Sequence, residues 1–220
     1  MGDTVPRIVV LVSGGGTNLQ ALIDAAARGE LGGSIVAVIS NKPGAGGLDR
    51  AARAGIETGV VNHRDYPERA AFDDALRETI DGYDPDLVVL AGFMRILTDD
   101  FVRHYRGRML NIHPSLLPAY PGLHTHRRVL ESGDAEHGAT VHFVTEELDG
   151  GPAVLQGRVP VHASHTPERI AERVVDQEHG IYPRTVRWYC EGRLRLADAG
   201  AELDGHPLNA PADVDSNAPQ

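Results

Sequence analysis

Short apolar runs rich in β-branched residues alternate along the chain with stretches whose apolar positions recur at helical spacing. RIVVLV at 7–12, SIVAVIS at 34–40, TGVV at 58–61, DLVVLAG at 86–92 and MLNI at 109–112 read as strands. Between them, Leu19, Leu22, Ile23 and Ala26 fall on one helical face, as do Phe72, Leu76, Thr79 and Ile80. Strand, helix, strand in this order predicts a parallel sheet covered by crossover helices. Further on, GATVHFVT at 138–145 and PAVLQGRVPV at 152–161 flank the turn-rich EELDGG, which reads as two strands meeting at a loop and makes the sheet mixed. A last helix starts with Thr166 as N-cap and Pro167 at its first position, with Ile170, Val174 and Val175 at helical spacing. Pro183 is expected to kink or divide that helix.

The expected class is α/β: an open, mostly parallel, Rossmann-like twisted sheet with helices on both faces and an antiparallel C-terminal part. One domain is expected over 1–200, with a mononucleotide-binding half over about 1–105 and a second half over about 106–200. Residues 201–220 are rich in Ala, Asp, Gly, Asn and Pro with little to bury, and are expected to be a disordered tail.

Composition narrows the function classes. The 220 residues carry a net charge of -10, which argues against a partner held through a nucleic-acid backbone. No apolar run reaches the roughly 20 residues that span a membrane, and the N-terminus lacks a signal-peptide cleavage site, so a soluble cytoplasmic protein is expected. Cys190 is the only cysteine, which excludes an internal disulfide and a thiolate metal cluster within one chain. Lys42 is the only lysine; the arginine bias reads as genomic composition.

Candidate chemistry concentrates in two places. Gly14, Gly15 and Gly16 lie between the first strand and the first helix, where bare N–H groups and the helix dipole suit a phosphate. No Gly-Lys-Ser/Thr follows, so this is not a Walker loop. Leu19 replaces the third glycine of a dinucleotide fingerprint, and the second strand ends in Ser40-Asn41 with no acidic residue for a ribose. A monophosphate fits better; a strand-to-helix turn that binds nothing is the simpler alternative. In LAGFMRILTDDFVRHYRGRMLNIHPSLLPAYPGLHTHR, Asn111 and His113 lie two apart at a strand end, so both side chains can face one pocket at the carboxyl edge of the sheet. Pro114, Pro118 and Pro121 stiffen the loop that follows, and Leu117-Pro118 is a candidate cis bond.

The run NIHPSLLPAYPGLHTHR, with AGFMRIL before it, HGATVHFVTEELDGGP after it and SGGGTNLQALI near the start, closely resembles the phosphoribosylglycinamide formyltransferases, folate-dependent enzymes of purine synthesis. The likeness extends over roughly residues 7 to 196. It implies a formyltransferase fold, and formyl transfer from 10-formyltetrahydrofolate to the amine of 5-phosphoribosylglycinamide (GAR), with no metal. It further implies Asn111, His113 and Asp149 as the catalytic residues, Asp149 supporting His113. GAR would be held by Gly16, Thr17, Asn18 and Leu19 together with Val175, Asp176, Gln177 and Glu178. The folate would be held by Arg69, Met94, Arg95, Ile96, Leu97, Asn111, Thr145, Glu146, Glu147, Leu148 and Asp149. The implied partners are these two small molecules; a homodimer is compatible with the likeness. One departure is Gly15, where many members carry asparagine; the backbone donors are unaffected.

Other readings compete with these. His124, His126, His137, His142, His162 and His165 suggest zinc, yet no HExxH pattern or carboxylate-rich helix pair completes a site; His124 and His142 are expected nearest the cleft. Cys190, after Trp188 and Tyr189, reads as packed structure. The same trio serves formyltetrahydrofolate deformylases, which carry an extra N-terminal domain, and methionyl-tRNA formyltransferases, which add a C-terminal one. A strand starting by residue 7 is expected to leave no room for the first, and the chain's early end and acidic character argue against the second. A non-catalytic nucleotide-binding protein would keep the glycine turn without needing the trio.

Overall fold

The computed structural model describes residues 4–213. Strands β1 (Arg7–Val12), β2 (Ser34–Ser40), β3 (Glu57–Val60), β4 (Leu87–Leu90), β5 (Met109–His113), β6 (Glu136–Phe143), β7 (Ala153–Pro160) and β11 (Ala212–Asp213) form one sheet in the order β11-β7-β6-β5-β4-β1-β2-β3. From β3 to β5 all pairings are parallel; β6 runs antiparallel to both β5 and β7. The sheet is therefore mixed, its antiparallel part lying C-terminal to the parallel half.

Alternation along β1 shows why helices cover both faces. Ile8, Val10 and Val12 pack in one core with Leu19 and Leu22 of α1 (Thr17–Ala27) and with Ile170, Val174 and Ile181 of α6 (Pro167–Cys190). Val9 and Leu11 point the other way, into a core with Phe72, Leu76 and Ile80 of α3 (Arg69–Asp81) and Phe101 and Tyr105 around α4 (Asp99–His104). A strand buried on both faces reads as a continuous apolar run, which is why RIVVLV was legible. Two short helices, α2 (Gly46–Arg53) and α5 (Thr125–Ser132), complete the cover.

Chain order reverses at β1, which has β2 on one side and β4 on the other. Loops leaving β1 and β4 thus diverge at a switch point, the place where open α/β sheets open a crevice. They are stitched together there: Ser13 N–H donates to Gly92 O (3.1 Å) and Met94 N–H to Ser13 Oγ (2.7 Å). Tyr182 of α6 is buried and donates its hydroxyl proton toward Leu90 O (2.8 Å) and Leu110 O (3.1 Å), which fixes α6 against the ends of β4 and β5.

Two expectations are corrected. Pro183 does not divide the last helix, which runs unbroken from Pro167 to Cys190. Proline removes one helical N–H, but Ile181, Tyr182, Thr185 and Val186 on both sides of it are buried, and that packing keeps the two halves in one continuous helix. Residues 201–213 are not a disordered tail. Strands β8 (Leu194–Ala197), β9 (Gly200–Leu203) and β10 (His206–Pro207) form an antiparallel meander, and β11 pairs with β7. Leu194, Ala201 and Leu203 are buried against the main core, and Arg193 binds Asp204 through two parallel contacts of 2.8 Å. Asp204 (φ +54) and Gly205 (φ +79) make the left-handed pair that a two-residue hairpin requires. Asp-Gly was the signal in the sequence. Residues 214–220 of the expected tail lie outside the described residues.

Candidate active site

A smaller cavity of about 270 Å³ lies over the switch point, walled by residues 13–18, Lys42, Ala91, Gly92 and Met94. The glycine turn is shaped by its neighbours. Gly47 N–H donates to Gly14 O (3.0 Å), and Arg50 Nε–H donates to Gly15 O (2.7 Å). Gly16 has φ +73, and a Cβ there would sit 2.6 Å from Gly47 Cα, so only glycine fits. Gly16 is also the N-cap of α1 and supplies no side-chain cap, and no acidic residue stands in the first turn. The helix's first N–H groups are thereby left for an anion. Lys42 adds a positive charge to the same wall. Glu178 reaches α1 from α6 and accepts from Asn18 Nδ2 (2.8 Å); burial pushes its carboxyl above the usual carboxylate range.

The larger cavity, about 760 Å³, adjoins the smaller one; the two share Gly92 and Met94 in their walls. Asn111, His113 and Asp149 all line it. Strand alternation turns Asn111 and His113 to the same side, and the antiparallel register places Asn111 opposite His142. Asp149 arrives from the loop between β6 and β7 with φ +53; its Oδ2 is 3.4 Å from His113 Nδ1 and accepts Gly122 N–H at 2.8 Å. On its far side, His113 Nε2–H donates to Tyr120 O (3.0 Å). Both imidazole nitrogens therefore face oxygen acceptors.

His142 orients Asn111. Its Nδ1–H donates to Phe143 O (2.9 Å), which leaves the Nε2 lone pair to accept from Asn111 Nδ2 at 3.1 Å. Burial pushes the His142 imidazole below its ordinary value and keeps it neutral, so it remains an acceptor. One amide N–H of Asn111 is thus pinned and the other is left for the cavity.

A formyl transferase family profile matches residues 6–186. The chain belongs to the formyl transferase family. The phosphoribosylglycinamide formyltransferase of Escherichia coli (strain K12) is 56% identical over 202 residues, covering 92% of this chain and 95% of that protein. A phosphoribosylglycinamide formyltransferase structure from Coxiella burnetii, in complex with CHES, superposes with a TM-score of 0.91 at 50% identity, covering 96% of this chain and 99% of that one. A formyltetrahydrofolate deformylase from Pseudomonas putida KT2440 has the same fold more distantly, at 28% identity and a TM-score of 0.82, covering 92% and 71%.

Within this formyl transferase, the residues expected from the sequence separate into two groups. Gly16, Thr17 and Asn18 line the smaller cavity. Met94, Arg95, Ile96, Leu97 and residues 145–149 line the larger one. Glu178 touches Asn18. The side chain of Leu19 is instead fully buried in the core, Gln177 packs under Gly157, and Val175, Asp176 and Arg69 line neither cavity. Four contributors went unassigned in the sequence: Lys42, the Tyr120 carbonyl, the Gly122 N–H and the role of His142. The first had a signal, a lone lysine at the end of the second strand. The other three depend on register and loop path.

At the mouth of the larger cavity Met94, Ile96, Leu123 and Leu148 are 57% to 71% exposed. Such a collar of apolar side chains around a polar floor suits a ligand with a flat apolar body and a reactive polar end. Among the described residues, no helix is long and apolar enough to cross a membrane.

Proposed function

We propose that this formyl transferase moves the formyl group of 10-formyltetrahydrofolate to the amine of GAR, in the cytoplasm, with Asn111, His113 and Asp149 carrying the chemistry. The observation that carries the reading is the junction of an N–H-lined, lysine-bearing cavity with an apolar-collared one, the trio standing in the wall of the second. The nucleotide phosphate lies on the turn at 16–18 near Lys42, its glycinamide end reaches toward Glu178, and the folate lies along 94–97 and 145–149.

When the amine attacks the formyl carbon, negative charge gathers on the formyl oxygen. The free amide N–H of Asn111 donates to it, and the positive charge of a protonated His113 ring balances it across the cavity. The amine sheds a proton to water as the new C–N bond forms, and the folate nitrogen gains one as its bond to carbon breaks; the proton held by water restores His113 for the next turnover. His113 supplies that second proton, directly or through water. Asp149 stabilises the imidazolium from 3.4 Å, while the Tyr120 carbonyl fixes which nitrogen is already protonated.

Purified protein is expected to release tetrahydrofolate only when GAR is present, followed by absorbance of the deformylated folate. Equal turnover without the amine would assign water as the acceptor and favour a deformylase. Gly16→Ala is expected to raise the KM for GAR about tenfold or more, since the added strain of 1–3 kcal/mol falls on the phosphate turn, with the folate KM unchanged. An unchanged GAR KM would place the phosphate elsewhere.

A further inference from the structure

The loop that carries the Tyr120 carbonyl and the Gly122 N–H is short of intrinsic support. Tyr120 (φ +55), Gly122 (φ +76) and His124 (φ +60) all have left-handed backbone, which costs free energy at the non-glycine positions and persists only where the surroundings impose it. Those surroundings are visible. The Tyr120 hydroxyl donates to the Asp134 carboxylate and lies 2.5 Å from Ser132 Oγ, at the turn between α5 and β6. Arg128 of α5 sits over the Tyr120 ring, 5.4 Å from its centroid, and donates to Pro121 O (2.5 Å) and Leu123 O (3.4 Å). The carboxylate beside it pushes the tyrosine hydroxyl above its ordinary range, so it stays protonated and remains a donor.

We propose that Tyr120, clamped by Asp134, Ser132 and Arg128, is a positioning residue that holds both His113 and Asp149 in their working geometry. The route is covalent and short. The clamp fixes the backbone of 120–122; Tyr120 O accepts a hydrogen bond from His113 Nε2–H, and Gly122 N–H donates to Asp149 Oδ2. Fixing Nε2 as the protonated nitrogen leaves Nδ1 as the one that gains and gives a proton, opposite Asp149. None of the clamp side chains lines either cavity, so their removal takes no contact from a substrate. Asp134 and Ser132 are exposed, outside the core. The inference rests on the catalytic reading of His113, and its test separates the two.

Tyr120→Phe keeps the ring and its arginine contact and deletes only the hydroxyl; Asp134→Ala removes the acceptor. In both, kcat is expected to fall about tenfold, as a displaced proton donor predicts, with both KM values within about twofold of the parent. In protein without substrates, the ¹⁵N spectrum of His113, assigned by its loss in His113→Asn, is expected to move from the Nε2–H form toward a mixture of tautomers. An unchanged His113 spectrum in the variants overturns the clamp whatever the activity does. A moved spectrum with full kcat supports the clamp and overturns the catalytic role of His113. Should Tyr120→Phe fail to fold, Asp134→Ala, changed at an exposed side chain, decides the same question.

Discussion

His113→Ala is expected to lower kcat by about 10²- to 10⁴-fold, the range that a positioned acid-base group contributes, while binding of the nucleotide stays close to the parent. The separation follows from the architecture. His113 stands in the wall of the larger cavity, whereas the glycine turn, Lys42 and the first turn of α1 enclose the smaller one. Removing the imidazole leaves Asn111 pinned by His142, so one donor to the developing oxyanion survives and some activity remains. Asp149 retains its hydrogen bond from Gly122, so its loop keeps one anchor. Steady-state kinetics and calorimetric titration with GAR read the two effects independently. Near-parental kcat would remove His113 from the mechanism; lost nucleotide binding would show that the two cavities are not separable.

Between pH 7 and pH 4 the protein is expected to lose about 3 kcal/mol of stability through His137 alone. The side chain is 1% exposed on β6, and burial first, then the charges of His126 and His113, push it down to about 4. An unfolded chain takes up this proton near the ordinary histidine value of about 6.5. The native protein resists until about 4, so protons favour unfolding throughout that window. The contribution is complete above about 6.5 and is lost as pH falls toward 4. His126, whose Nδ1 is 3.2 Å from His137 Nε2, and His142 are also held below their ordinary value by burial and add in the same direction. His137→Phe keeps a ring in the site and cannot take a proton. Urea unfolding at pH 7 and pH 4 should therefore show the variant gaining about 3 kcal/mol on the parent as pH drops. An equal loss in both would mean that His137 is protonated in the native state.

Much of the parallel half was legible because strands buried on both faces give unbroken apolar runs, and because α1 and α3 show one apolar stripe each. Neither the unbroken α6 nor the ordered C-terminal meander could be read that way. In α6 the cost of Pro183 is local and visible, while the burial that offsets it comes from distant strands. In the meander, each strand is short, and its few apolar residues count only once they meet the main core.

The site divides along the same line. Residue order and spacing determined that a glycine turn follows the first strand, that Asn111 and His113 share a strand face, and that family likeness pairs them with Asp149. Tertiary structure alone decided that His142 orients Asn111, that Tyr120 and Gly122 hold His113 and Asp149, and that Leu19 faces the core. Spacing fixes the direction of a side chain within one strand or helix. Which hydrogen-bond partner it meets there depends on the register of another strand and the path of another loop, and those are settled only when the whole sheet is assembled.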